Sequence, residues 1–288
     1  MSRMDRPHQL GEFLRARRER VTPEDVGLPG DGRRRVRGLR REEVAMLAGI
    51  SPDYYMRLEQ GRDHRPSEQV LQAVARALSL DDDATTHLVT LGRAGPPVGR
   101  AGRTAAEAVE PELQNLLDAW ITVPALVYGP RFDVLASNPL ARALTPVSIP
   151  GTNMLRALFL DPDVRGRYGD IEFSDAEAVA NFRAVAGSDL EDPGVKALVD
   201  ELSRKSTNFA QLWARQDVLS AMSGEQLFIH PVVGTMQLRH QTFAVGATNT
   251  LTLLVAFPAL GSRDALARLA RIATELDTPS AQSPGLLS

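Results

Sequence analysis

Along the first third of the chain, apolar residues recur every three or four positions, the spacing of amphipathic helices. Leu10, Phe13 and Leu14, followed by Arg17, predict a helix over Gln9–Arg20. Val44, Ala45 and Ala48, then Ile50, Tyr55 and Leu58, predict two short helices within Arg41–Gly61. Between these two, Gly49 sits where the chain must reverse with a positive φ. Ser51 can cap the second helix, and Pro52 falls at its first position, where a missing N–H costs nothing. Gly61 ends it. A helix over Glu68–Leu78, capped by Ser67, and another over Asp83–Arg93 complete five. The intervening loop from Val21 to Gly38 is rich in proline and glycine, which forbid regular structure there.

The rest of the chain changes period. Residues 94–109 are rich in Gly, Pro and Ala and have no period, which predicts a linker. A helix over Pro111–Trp120 follows, then two strand-like runs, 125–129 and 132–138, around Gly129, Pro130 and Arg131. Helical patterns occupy 139–144, 152–159, 175–187, 194–203 and 208–215. Three strand patterns come next, at 226–233, 234–245 and 250–257, before a closing helix over Asp264–Leu276. Two strands, a helical middle and three strands is the order of a PAS-like α+β domain, an antiparallel sheet with helices over one face. The expected domains are residues 1–93, all-α and five-helix, the linker 94–109, the PAS-like domain 110–276, and a disordered tail 277–288.

Two helices around a glycine turn, with the second exposed along Pro52, Asp53, Met56, Arg57 and Gln60, are the layout of a DNA-reading helix-turn-helix. Charge sharpens this. The whole chain of 288 residues carries −3, but residues 1–103 hold 19 arginines and no lysine against 15 acids. The remainder holds 14 basic residues against 21 acids. A basic first part and an acidic second fit contact with DNA by the first alone. In the long loop Arg33, Arg34, Arg35 and Arg37 read as an arm over the phosphate backbone or minor groove. Arg40 and Arg41 open the first motif helix where a Ser or Thr cap is expected, and cations there oppose the helix dipole unless phosphates face them. Arg62 and Arg65 precede the N-terminus of the next helix, another place for phosphate. Arg57 is the candidate for a guanine edge, Gln60 for adenine or phosphate and Asp53 for a cytosine amino group, while Ser51 and Tyr54 hold phosphate. The partner is therefore a double-stranded DNA operator. One motif reads one half-site, so a homodimer is expected.

Other chemistries find little support. The chain has no cysteine, which removes disulfides, thiolate catalysis and Cys-ligated metal sites and suits a reducing cytoplasm. G-x-S-x-G and H-E-x-x-H are missing, and neither lysine, Lys196 or Lys205, follows a glycine as a phosphate loop requires. No enzyme, metal or cofactor is expected. No apolar run reaches membrane-spanning length, and the N-terminus lacks an apolar signal core, so neither membrane nor export is expected.

Residues 38–45, 48–67 and 70–83 resemble the Cro/repressor-type helix-turn-helix domain of MmyB-like transcription regulators. The segments 132–138 (FDVLASN), 155–162 (LRALFLDP), 209–218 (FAQLWARQDV) and 230–234 (HPVVG) resemble that family's C-terminal domain. The resemblance implies a sensor whose pocket takes an apolar small molecule, such as a fatty acid. Large apolar residues that could line it are Phe132, Phe159, Phe182, Phe209, Trp213, Phe228 and Met236, together with Leu126 and Leu135. Plain core is the competing reading for each. Arg215 could clamp a carboxylate, and Asn138 and His230 are polar residues inside apolar runs, more readily explained as internal hydrogen-bonders. The family commonly carries His where this chain has Gln216, which leaves a neutral hydrogen-bonder there. The alternative is a C-terminal domain that serves dimerisation or protein interaction and holds no ligand.

Overall fold

The computed structural model describes residues 6–29, 38–62, 65–93, 109–187, 192–221, 223–245 and 251–277. The N-terminal helices are α1 (Arg6–Arg20), α2 (Arg41–Ala48), α3 (Pro52–Glu59), α4 (Glu68–Ala77) and α5 (Asp82–Gly92). After α6 (Pro111–Ala119) come β1 (Ala125–Tyr128), β2 (Val134–Ser137), α7 (Pro139–Leu144), α8 (Met154–Leu160) and α9 (Pro162–Arg165). Three longer helices follow: α10 (Ile171–Ala186), α11 (Pro193–Lys205) and α12 (Thr207–Ala214). The strands β3 (Ser223–His230), β4 (Gly234–Val245) and β5 (Leu251–Pro258) and the helix α13 (Arg263–Asp277) close the chain. No described helix is long and apolar enough to cross a membrane.

An N-terminal helical helix-turn-helix region is thus followed by an α+β region with a five-stranded antiparallel sheet. Three local expectations change. The loop after α1 is not wholly irregular, because Thr22 and Asp25 hydrogen-bond each other and stabilise a 3₁₀ turn over Glu24–Val26. A short helix, α9, forms after Leu160 because Asp161 accepts from the backbone N–H groups of Asp163 and Val164. The strand β3 begins at Ser223, since it pairs with β4 along that whole length. The expected linker and tail lie outside the described residues, apart from Val109 and Asp277.

The molecule comprises two compact units that do not follow chain order: residues 1–104 with 175–220, and residues 105–174 with 221–288. In the first unit Leu10, Phe13, Leu14, Leu39, Val44, Tyr55, Leu58, Leu71, Val74 and Leu88 form one continuous core. Local chemistry shapes the central turn: Gly49 takes φ 68°, and the Ser51 hydroxyl accepts from the Tyr54 N–H at 3.2 Å. A buried ionic cluster then fixes α3. Glu59 accepts from Arg18 Nε at 2.8 Å and Nη2 at 2.9 Å, and from Arg41 Nη2 at 2.8 Å and Nε at 3.1 Å. Arg18 Nη1 also donates to the Leu39 carbonyl at 2.9 Å, so one side chain ties α1 to α3 and to the chain entering α2. Burial pushes the Glu59 carboxyl up, but hydrogen bonds from both arginines outweigh it and hold the group below its usual 4.5. The packing is close enough that a Cβ on Gly11 would lie 2.3 Å from the Glu59 carbonyl oxygen.

In the second unit the sheet order is β2-β1-β5-β4-β3, antiparallel throughout. Because side chains alternate across a strand, each face has its own cover. One face, with Phe228, Met236, Leu238 and Ala256, packs against Leu140 and Leu144 of α7 and Leu266, Leu269 and Ala273 of α13. On the other, Ala125, Val127, Ala136 and Val255 pack against Leu117 of α6. The same face continues through the register pairs Phe243–Leu253 and Arg239–Phe257 to exposed Leu227, Ile229, Phe243 and Phe257.

Three measurements test this packing. Gly11→Ala forces backbone apart between α1 and α3 and costs about 1–3 kcal/mol; an unchanged thermal midpoint would contradict the close approach. Glu59→Ala leaves Arg18 buried without its partner and costs about 3–5 kcal/mol in urea unfolding. Because the folded Glu59 carboxyl lies below its usual 4.5, its contribution is complete above that pH and is lost on further acidification. Glu59→Gln therefore flattens the acid limb of stability against pH, and an unaltered limb would assign acid sensitivity elsewhere.

Candidate nucleic-acid interface and ligand cavity

The amphipathicity of α3 determines what it can offer. Tyr55, Leu58 and Glu59 face inward and are buried. Ser51, Pro52, Asp53, Arg57 and Gln60 are exposed, while Tyr54 and Met56 are half-buried. Asp53, Arg57 and Gln60 follow one another at helical spacing and so share a side of the helix. Arg57 Nη1 donates to Asp53 Oδ2 at 2.6 Å, and the guanidinium lies 5.6 Å from the centre of the Tyr54 ring. An exposed pair of this kind contributes only about 0.3–0.5 kcal/mol, whereas a bidentate arginine–guanine contact contributes about 1–3 kcal/mol. Arg57 can therefore leave Asp53 for a base edge at little cost.

Arg40 and Arg41, expected together on phosphate, have different surroundings. Arg40 is exposed and occupies the N-cap of α2. The cap expected from a Ser or Thr is supplied instead from within the helix, by Glu43 Oε2 accepting from the Arg40 N–H at 2.7 Å. Arg41 is 44% exposed and its guanidinium is engaged by Glu59. The dipole penalty anticipated for a first-turn cation is offset by Glu42 and Glu43 in the same turn and by Glu59. Glu59 was missed as the organiser because its partners lie 41 and 18 residues away. Its signal was an acid on the inward side of α3. Arg62 and Arg65 are exposed after α3. Arg33, Arg34, Arg35 and Arg37 lie outside the described residues.

The candidate ligand residues separate into groups. In the second unit a cavity of about 80 Å³ lies between the sheet and the helical segments, lined by Leu126, Leu144, Met154, Tyr168, Phe228 and Leu254, with Ser148, Gln226 and His240 among its polar members. Of the expected residues Leu126 and Phe228 reach it. Met236 is buried in the core beside α7 and α13, and Phe159 is buried without lining the cavity. Phe132 packs on Tyr128 with ring centres 4.8 Å apart. Asn138 caps α7, accepting from the N–H groups of Ala125 and Ala141 and donating to the Trp120 and Val123 carbonyls. His230 spans Ala143 O and the Val232 and Val233 N–H groups, so its Nδ1 accepts and its Nε2 donates. Burial, partly offset by the Ala143 hydrogen bond, lowers its pKa. Gln226 and His240 were not among the candidates, although both are polar residues at inward positions of alternating strands.

Phe182, Phe209, Trp213 and Arg215 belong to the first unit. Trp213 stacks on Phe209 at 5.9 Å and meets Phe182 at 5.8 Å. Arg215 pairs with Asp217 at 3.0 Å, and Arg17 and Arg20 pair with the same carboxylate.

Residues 9–88 match a helix-turn-helix domain, and residues 109–271 match the MmyB-like transcription regulator ligand binding domain. No curated protein matches the chain. Both matches are to domains of transcription regulators, and the second covers more than half of the chain. A glycine-turned helix pair with a polar reading face, joined to a ligand-binding domain built on an antiparallel sheet, therefore places this chain in the MmyB-like transcription regulators, DNA-binding proteins with a ligand-sensing domain.

Proposed function

We propose that the exposed side of α3 enters the major groove, with Arg57 on a guanine edge, Gln60 on adenine or phosphate and Asp53 accepting from cytosine. The observation that carries this is the division of α3 into a buried Tyr55–Leu58–Glu59 side and an exposed Asp53–Arg57–Gln60 side. Arg40, Ser51, Tyr54, Arg62 and Arg65 hold the backbone, and Arg33, Arg34, Arg35 and Arg37 add phosphate or minor-groove contacts. Arg41 contributes by holding α3 through Glu59, with its exposed part toward phosphate. The protein acts as a homodimer. Leu227, Ile229, Phe243 and Phe257 on one sheet face supply the apolar surface for a second copy.

The second unit is PAS-like and senses an apolar small molecule. Support comes from its strand order and from a cavity with an apolar wall and a few polar groups. A fatty acid is the ligand class this reading favours. One observation favours the other reading, in which the unit only dimerises: 80 Å³ is well below the roughly 300–1,000 Å³ of usual ligand pockets. A long acyl chain requires the helical segments over the sheet to part.

Binding to fragments selected from a random duplex library tests the interface. The selected site has two half-sites about 34 Å apart. Arg57→Ala loses about 1–3 kcal/mol on that site and relaxes one base position, while Arg40→Ala weakens all sequences alike and lowers the salt slope by about 1. Unchanged affinity and base preference in Arg57→Ala would overturn the docking. Organic extraction and native mass spectrometry of the purified protein separate the two readings of the second unit: a co-purified acyl acid supports the sensor, and an empty protein that no acyl acid stabilises supports the dimerisation module.

A further inference from the structure

Within the first unit, α1, α5, α11 and α12 and the later part of α10 enclose a second cleft, of about 290 Å³, that the reading of DNA does not use. Its lining includes His87, Leu91, Arg183, Val195, Val199 and Trp213, with Glu12, Asp200 and Lys196 as its other charged members. Arg183 is 2% exposed, yet no described carboxylate forms an ion pair with it. Its guanidinium lies 3.7 Å from the centre of the Trp213 ring, and Nη2 donates to the Trp213 carbonyl at 2.5 Å. Nε has no hydrogen-bond partner among the described residues. Asp217 and Glu12 act on it only through space, and Asp217 is already held by Arg17, Arg20 and Arg215. Burial lowers Arg183 to about 9, so it remains a cation at neutral pH. His87 Nε2 is likewise buried without a partner among the described residues. Burial and the nearby arginines push His87 to about 3, which leaves a neutral ring able to donate one N–H.

A buried cation without a counter-ion is costly, and stacking on Trp213 leaves Nε unanswered. An anion entering the cleft removes both deficits. We propose that this cleft binds a small organic carboxylate, which accepts hydrogen bonds from Arg183 Nε and His87 Nε2–H while its carbon body packs on Leu91, Val195 and Val199. A planar guanidinium suits a carboxylate, and Leu91, Val195 and Val199 offer apolar contact to its carbon body. The volume accommodates a molecule the size of benzoate and excludes a long chain lying at full length.

Calorimetric titration of benzoate into the full chain tests this, with benzamide as the uncharged counterpart. Val199 is half-buried and lines the cleft from α11, so Val199→Phe fills the cleft while leaving Arg183 and His87 in the sequence. Saturable one-site binding of benzoate is expected, at least tenfold weaker in Val199→Phe and in Arg183→Gln, with benzamide at least tenfold weaker on the wild-type chain. Absence of saturable benzoate binding, binding that survives Val199→Phe, or equal binding of benzamide would overturn the proposal. If Arg183→Gln does not fold, Val199→Phe and benzamide decide it.

Discussion

The orientation of α3 depends on one carboxylate. Glu59 lies on the inward side of α3, opposite the side proposed to meet DNA, and it holds two arginines from two other parts of the chain. A buried carboxylate is tolerable only when its charge and lone pairs are answered, and here four N–H donors answer them. A helix packed only by apolar contacts can slide or roll at small cost. Directional hydrogen bonds to α1 and to the start of α2 leave α3 far less freedom, and its exposed residues keep a defined orientation. Gly11 lets α1 approach the end of α3 at backbone distance, which brings Arg18 within reach.

The second unit solves a different problem. Its sheet is covered on one face by α7 and α13, while α6 covers only the β1, β2 and β5 side of the other. Polar residues at inward strand positions, Gln226 and His240, interrupt the apolar layer beside a small cavity. Gln226 donates to Ser174 Oγ, so that position is internally satisfied. The cavity is thus walled by apolar side chains with a few polar groups between them.

Signals confined to a few neighbouring residues were legible in the sequence. Gly49, Ser51 and Pro52 specify the central turn by their own conformational preferences, and each element they bound appears. Phe228, a large apolar residue of the strand run 226–233, is buried as the core reading of it required. What the sequence could not reveal was partnership at a distance. Arg41 looked like a bare cation because Glu59 is brought to it by folding alone. Phe182, Phe209 and Trp213 were grouped with Phe228 because each is a large apolar residue at regular spacing. Periodicity identifies a face to be buried and does not say against what; residues 175–220 join the first unit. Arg183 was hidden for the same reason, being one arginine in a helix otherwise read for its apolar residues.

The orientation of α3 can be read directly on DNA. The chain has no cysteine, so Gln60→Cys accepts a tethered iron–EDTA group at a single position. On the selected operator the account predicts strand cuts centred on the major groove of each half-site. Cuts spread evenly along the duplex, or centred outside the half-sites, would contradict it.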